Sequence, residues 1–511
     1  MNGTSVSTVL REALRHHQDG RLDQAFLGYQ AVLQAAPNHP DALALAGICA
    51  FHMNRLEAAR RLLEDAARAG AEGPDPACTL AVVLQRLGDS AKALAVSESA
   101  LARGFAHAGL LAVKGACLLD LDRVADAQQA LADSIALAPD DPDVQHLWGV
   151  ALRRQGRPAD ALAAFDRAIA LKTPFPEAHF NRGNALSDLG RMRDAVLALG
   201  AAGEQAPADK EIQRRLGTAF RQLGRLEDAE KVFDYLVARH PNDAAGWYQL
   251  GMIRIRRKDR KGAKYALDRA LQADPDHPSA RHMLAALNGE TPEIAPAGHV
   301  RRVFDDYADQ FEAHVVGTLG YRVPEQMRAA VAGVLARRPP ATTLASVLDL
   351  GCGTGLVARH FEGVASAMDG VDLSPRMVRK ALATGLYRTV IEGDLMAALA
   401  GGELAQSYDL VLAGDVFIYI GALDGLFAAI AAMQAKGGLF SFSVESLTAA
   451  EEATTPAGYR LQSTGRYAHG SDCIGRLATD FGYTVLVADQ IEVRNQGGAP
   501  TPGMLYVLER A

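Results

Sequence analysis

The chain has 511 residues, enough for two or more domains, of which 49% are hydrophobic and 22% charged, an ordinary composition for a folded, water-borne protein. Its 53 Lys plus Arg against 60 Asp plus Glu give a formal net charge of −7, which argues against a general nucleic-acid surface or an anionic-membrane surface. No run approaches the ~18 apolar residues of a membrane span. The five scattered cysteines (Cys49, Cys78, Cys117, Cys352, Cys473) contain no C-x-x-C and argue against a disulfide framework or a zinc site.

Met1–Leu10 lacks a basic stretch followed by an apolar core, so a signal peptide is not expected and the expected compartment is the cytoplasm. The first half then repeats itself. Alanine recurs every 34 residues at Ala25, Ala59, Ala93, Ala127, Ala161, Ala195, Ala229 and Ala263. Gly20, Gly88, Gly156, Gly190 and Gly224 fall on the same grid, with Asn54, Asp122 and Lys258 in its gaps. A third set is small (Ala13, Gly47, Ala81, Gly115, Gly149, Gly183, Gly217, Gly251), and prolines 37, 139, 207, 241 and 275 close most repeats. The small residue of a first helix lets a second helix approach, the mid-repeat glycine ends the first helix, and the proline ends the second. Leu63, Leu131, Phe165, Phe233 and Leu267 fill the pair.

This pattern resembles the tetratricopeptide repeat. The resemblance implies an all-α solenoid of eight repeats over residues 6–277 with a closing helix at Pro278–Asn288, together residues 6–288, whose concave face takes a protein or peptide partner. A role limited to shielding or oligomerising the second half is the plainer alternative. His16, His17 and His52 lack ligand spacing and read as surface residues.

Residues 289–298 hold two prolines and two glycines and read as a linker to a second domain over 299–511. That domain opens with an expected amphipathic helix over His299–His314, with Phe304, Tyr307, Ala308 and Phe311 on one face. Next, Val347-Leu-Asp349-Leu350 reads as a buried strand ending at a carboxylate, followed by the loop Gly351-Cys-Gly353-Thr-Gly355 and a helix start. Gly370-Val-Asp372-Leu373 reads as a second strand whose acid, 17 residues past Gly355, can accept both hydroxyls of a ribose. The dinucleotide fingerprint G-x-G-x-x-G would need glycine at 356, where Leu356 stands.

The loop instead resembles motif I of the class I S-adenosylmethionine-dependent methyltransferases, and the resemblance sets the expectations for what surrounds it. The fold would be an α/β Rossmann-like domain with a seven-stranded sheet whose last strand is antiparallel. Asp349 would lie at the methionine end of S-adenosyl-L-methionine, with Gly351, Gly353 and Gly355 beneath it. The opening helix would cover the cofactor, with Tyr307 facing it. Ser374-Pro375 caps a helix, and Met377 either packs on adenine or is ordinary core. Asp394 would bond the adenine amino group, and the Leu395 N–H a ring nitrogen. Gly414-Asp415-Val-Phe417 follows the fourth strand without the Asn/Asp-Pro-Pro-aromatic box of enzymes that methylate amide or adenine nitrogen, which favours a small-molecule acceptor. Asp415 would lie beneath the reacting methyl, with Phe417 on the acceptor wall. The polar, aromatic segment Tyr459–Asp472 supplies His469 as a general base, with Arg466 and Tyr467 as substrate contacts; in the alternative, His469 is a surface residue beside a helix cap. The last two strands are expected at 483–490 and 504–508.

As a whole the chain resembles bacterial proteins that place tetratricopeptide repeats before a class I methyltransferase domain. The activity so implied is methylation of a small-molecule acceptor, most readily at oxygen, without nucleic acid, metal or membrane insertion. The alternatives are a protein acceptor docked on the repeats, and a cofactor-binding scaffold without turnover.

Overall fold

The structure, a computed structural model, describes residues 3–308, 311–317, 319–338, 344–404, 407–496 and 499–511; side chains at 3–5, 306, 307, 313, 314, 496 and 499 lie outside that description. The chain forms two compact units, Met1–Arg239 and His240–Ala511.

The first unit is helical, in consecutive antiparallel pairs. They are α1 (Gly3–Gln18) with α2 (Leu22–Ala35), α3 (Pro40–His52) with α4 (Leu56–Arg68), α5 (Pro74–Arg86) with α6 (Ser90–Ala102), and α7 (Ala108–Asp120) with α8 (Val124–Leu137). Three more follow: α9 (Pro142–Arg154) with α10 (Pro158–Leu171), α11 (Pro176–Asp188) with α12 (Met192–Gln205), and α13 (Lys210–Gln222) with α14 (Leu226–Arg239). The grid glycines Gly20, Gly88, Gly156, Gly190 and Gly224 all adopt left-handed backbone, φ +72° to +85°, and Asn54 and Asp122 adopt it at +57°. Each ends a first helix, and the next residue bonds back five positions, as Arg55 N–H does to the Ala50 carbonyl at 2.8 Å. The small-residue grid is explained more sharply than by helix approach alone. A Cβ on Gly149 would stand 2.5 Å from the Phe165 ring, and one on Gly217 2.5 Å from Phe233, so the partner helix's large side chain lies flat on bare backbone.

The second unit begins with another such pair, α15 (Ala244–Arg256) and α16 (Arg260–Ala273), and the single helix α17 (Pro278–Asn288). The compact division therefore falls inside the repeat array rather than at 289–298. The reason is local: Ala285 and Ala286 of α17 bury themselves against Ala295, Leu461 and Tyr467. The expected linker is also held in place, since Ala295 N–H bonds the Tyr419 carbonyl at 2.9 Å and the Glu293 carbonyl accepts the N–H groups of Gly421 and Ala422.

After α18 (Ala297–Tyr307), α19 (Phe311–Gly317) and α20 (Val323–Leu335) comes an α/β sheet. Its elements are β1 (Val347–Leu350), α21 (Leu356–His360), β2 (Met368–Asp372), α22 (Pro375–Ala383), β3 (Thr389–Glu392), α23 (Leu395–Ala400), β4 (Leu410–Ala413), α24 (Asp424–Ala432) and β5 (Leu439–Ser446). It continues with α25 (Ala449–Glu452), β6 (Tyr459–Leu461), β7 (Tyr467–His469), α26 (Ser471–Asp480), β8 (Tyr483–Gln496) and β9 (Ala499–Arg510). The main sheet runs β3-β2-β1-β4-β5-β9-β8, seven strands with the last, β9, antiparallel to both neighbours. The β6–β7 hairpin adds two short strands that the sequence had not suggested, pairing with β5 at Glu445 and Ser446, beyond the residues that pair with β4. Val323, Met327 and Val331 of α20 cover one face; Phe427 and Ile430 of α24 with Ile474 and Leu477 of α26 cover the other. Strand order reverses between β1 and β4, so their carboxyl ends, with that of β2, frame the crevice where open α/β sheets bind ligands.

Candidate active site

All four residues of β1 are fully buried, which makes Asp349 a carboxylate inside an apolar strand. Tyr387 Oη donates to its Oδ2 at 2.7 Å, while Oδ1 has no partner. Burial pushes the Asp349 pKa up to about 7. The loop that follows is left-handed at Gly351 (φ +62°), Gly353 (+54°) and Gly355 (+82°), conformations costly to any residue with a Cβ. A Cβ on Gly351 would also meet Val416 at 2.7 Å, whereas the one on Gly353 would meet nothing nearer than a carbonyl at 4.0 Å. The backbone at Gly353 is therefore bare.

Asp372, at the tip of β2, ties that loop down. Its Oδ2 accepts the Gly353 N–H at 2.9 Å and its Oδ1 the Ser374 N–H at 2.8 Å. Burial raises its pKa and these two N–H groups oppose the rise. Each oxygen retains lone-pair capacity for a hydroxyl donor. Ser374 caps α22, accepting the N–H of Met377, and the Met377 side chain is wholly buried. Asp394 is exposed and caps α23, its Oδ1 accepting from Met396 and Ala397; Leu395 beside it is half-buried.

Helix α18 is strapped over this edge. Ser374 Oγ donates to Asp305 Oδ1 at 2.6 Å, Arg376 donates to the Asp305 carbonyl at 2.7 Å, and Arg301 donates to the Leu373 carbonyl at 3.2 Å. The Phe304 ring meets Tyr419 at 5.6 Å, so one short helix touches both the β2 and the β4 side of the crevice. The Tyr307 side chain lies outside the described residues.

At the carboxyl end of β4, Asp415 is left-handed (φ +60°) although not glycine. Its N–H bonds Ser443 Oγ at 2.9 Å, and its carboxylate pairs with Arg494 of β8. Arg494 is 4% exposed and pairs also with Glu445 of β5, whose Oε1 is 3.9 Å from Arg466. Three strands and the hairpin loop thus deliver two cations and two carboxylates to one cluster. Within it the Asp415 side chain stays 21% exposed and that of Arg466 24%.

Two expected acceptor contacts and the expected base are placed elsewhere. Phe417 is fully buried against Phe440 and Phe442, because the single helical turn Phe417–Tyr419 turns its first residue into the core. Tyr467 is likewise fully buried, packed on α17 rather than lining a crevice. His469 is neither a surface residue nor an open base. It is 2% exposed, Nε2 meets the Gly421 carbonyl at 3.1 Å, and burial lowers its pKa to about 4. The half-buried aromatic beside the charged cluster is Tyr419, which sequence reasoning passed over together with Tyr387, Glu445 and Arg494. Arg494 carried no signal, lying past the end of the strand expected at 483–490, which the structure extends to Gln496; Tyr419 could have been noticed as the amphipathic end of Phe-Ile-Tyr.

Residues 322–487 match a family model described as a methyltransferase domain, and tetratricopeptide-repeat models match residues 16–78, 146–210 and 214–278. No curated protein matches the chain. Solved structures resembling it include YrrB, a TPR protein with an unusual peptide-binding site (20% identity over 36% of this chain and 96% of that one, TM-score 0.33). MamA from Desulfovibrio magneticus RS-1 (23%, 34% and 97%, TM-score 0.31) is another. A third is a thermophilic TPR protein of Thermus thermophilus (23%, 35% and 98%, TM-score 0.31).

Proposed function

From a chain that joins tetratricopeptide repeats to a methyltransferase domain, we propose an enzyme that uses S-adenosylmethionine to methylate a small molecule at oxygen, with the repeats recruiting a protein partner or subunit. The observation that carries this reading is the left-handed glycine loop after β1, flanked by Asp349 and Asp372. The residues fit the cofactor on three counts: bare backbone at Gly353, a buried Asp349 oxygen without a partner, and spare lone pairs on Asp372.

In this reading Asp372 holds the ribose hydroxyls, and Leu373, Asp394 and Leu395 border the adenine, while Met377, wholly buried, is ordinary core. Asp349 faces the methionine end, and α18 covers the cofactor. S-adenosylmethionine supplies a methyl group on a cationic sulfur that is already a good leaving group. The chain's task is to hold the acceptor in line and keep water out. Asp415 is the partly exposed carboxylate at the right strand end to take a hydroxyl proton, and Arg494 keeps it in place. Arg466 and Tyr419 contact the acceptor. His469 positions the loop at Gly421 and takes no proton.

A second reading, a protein acceptor held on the repeats, draws support from α17. His282 of that helix reaches the Gly465 carbonyl at 2.8 Å, so the end of the array touches the hairpin that carries Arg466. Incubation with methyl-labelled S-adenosylmethionine and a cell extract separates these. Label in the small-molecule fraction is expected; label in protein favours the second reading, and no cofactor consumption overturns both in favour of a scaffold.

A further inference from the structure

Tyr387, in the turn between α22 and β3, lies between two glycines. A Cβ on Gly370 would stand 3.0 Å from its ring and one on Gly355 3.3 Å, so both glycines make room for that ring. Its hydroxyl reaches Asp349 Oδ2 at 2.7 Å, and Asp349 is fully buried with Oδ1 unpartnered. Among the described residues, the titratable groups acting on or sensing Asp349 are Tyr387, Cys352 of the loop, Asp372 of β2 and Tyr321 before α20, and none of these is a cation. Burial raises Cys352, Tyr321 and Tyr387 far enough to keep them neutral near pH 7. A buried carboxylate with one donor, no cation and a second carboxylate nearby favours its protonated form until positive charge arrives.

We propose that Tyr387 is a positioning residue of the cofactor site, holding Asp349 by Oδ2 and reserving Oδ1 for a cationic ligand, whose binding drives the Asp349 proton into solvent. This rests on the cofactor reading above and adds to it a residue and a proton. The O–H bond of the Asp349 carboxyl breaks, its electron pair stays on the carboxylate, and the proton passes to buffer. Burial that lifts Asp349 to about 7 sets the window. Below it the acid is protonated when free and ionised when bound; above it the acid is ionised in both states and nothing is released.

The test is calorimetric titration of S-adenosylmethionine into the full chain at about pH 6 and about pH 8, each in two buffers of different ionisation heat. Asp349→Asn measured alongside removes the protons that come from the ligand itself. The wild-type chain is expected to release about one proton more than Asp349→Asn at pH 6 and none more at pH 8, with about a tenfold gain in affinity across the interval. Tyr387→Phe removes the donor that favours the ionised acid, so its release should persist to higher pH. Binding without extra proton release at pH 6, or a Tyr387→Phe profile superposing on wild type, overturns the proposal while leaving the cofactor reading intact. No binding by the wild-type chain overturns both.

Discussion

Lys258 occupies the turn position that five other repeats fill with glycine, and it adopts φ +63° there. A Cβ at such an angle is strained, so Lys258→Gly is expected to raise stability by about 0.5–1 kcal/mol, read as a shift in urea midpoint at unchanged slope. Gly149→Ala should do the reverse, by roughly 1–3 kcal/mol, since its methyl group would stand 2.5 Å from Phe165. At this scale the glycine motif, Asp349 and Asp372 were legible, because a left-handed loop against bare backbone leaves few residue choices. Tyr387 and Arg494 were not. They meet their carboxylates across 38 and 79 residues of chain, and nothing near either residue announces the partner.

Among elements, β1 to β5 were legible as apolar runs, whereas the helix expected over 299–314 is two, α18 ending at Tyr307 and α19 starting at Phe311, and β8 and β9 run past the expected 483–490 and 504–508. The β6–β7 hairpin did not show, because Tyr459, Arg460, Tyr467 and His469 read as polar until the rings of Tyr467 and His469 are seen buried. The packing of α18 on α17 brings three imidazoles together. His282 and His299 lie tilted to one another with ring centroids 4.7 Å apart, His299 Nδ1 lies 3.1 Å from Ser279 Oγ, and His277 sits beside Arg302. Burial lowers all three pKa values, His299 to about 4. The unfolded chain therefore takes up these protons before the folded one. The contribution is whole above the ordinary histidine pKa of about 6.5 and is lost as pH falls from there toward 4. The unfolding free energy measured across that interval should drop, by roughly 2–4 kcal/mol for His299 alone, and drop less in His299→Gln. An unchanged difference between the two proteins across the interval would contradict this.

For the whole molecule, the repeat period and the methyltransferase loop announced two architectures, while the place of division between compact units was hidden. The Gly- and Pro-rich stretch 289–298 has a linker's composition, yet its backbone bonds residues 419–422 and its neighbour α17 covers Tyr467. Removal of residues 1–288 is accordingly expected to give an unstable product with exposed apolar surface, while removal of 1–239 should leave a cooperatively unfolding unit. Comparing their thermal transitions checks this. The central claim is tested most directly by titrating S-adenosylmethionine into the full chain and into Asp372→Ala. The account predicts binding by the wild-type chain and a loss of about ten- to a hundredfold in the variant, the effect of removing a buried charge-assisted hydrogen-bond acceptor. No binding by the wild-type chain, or equal binding by the two, would contradict it.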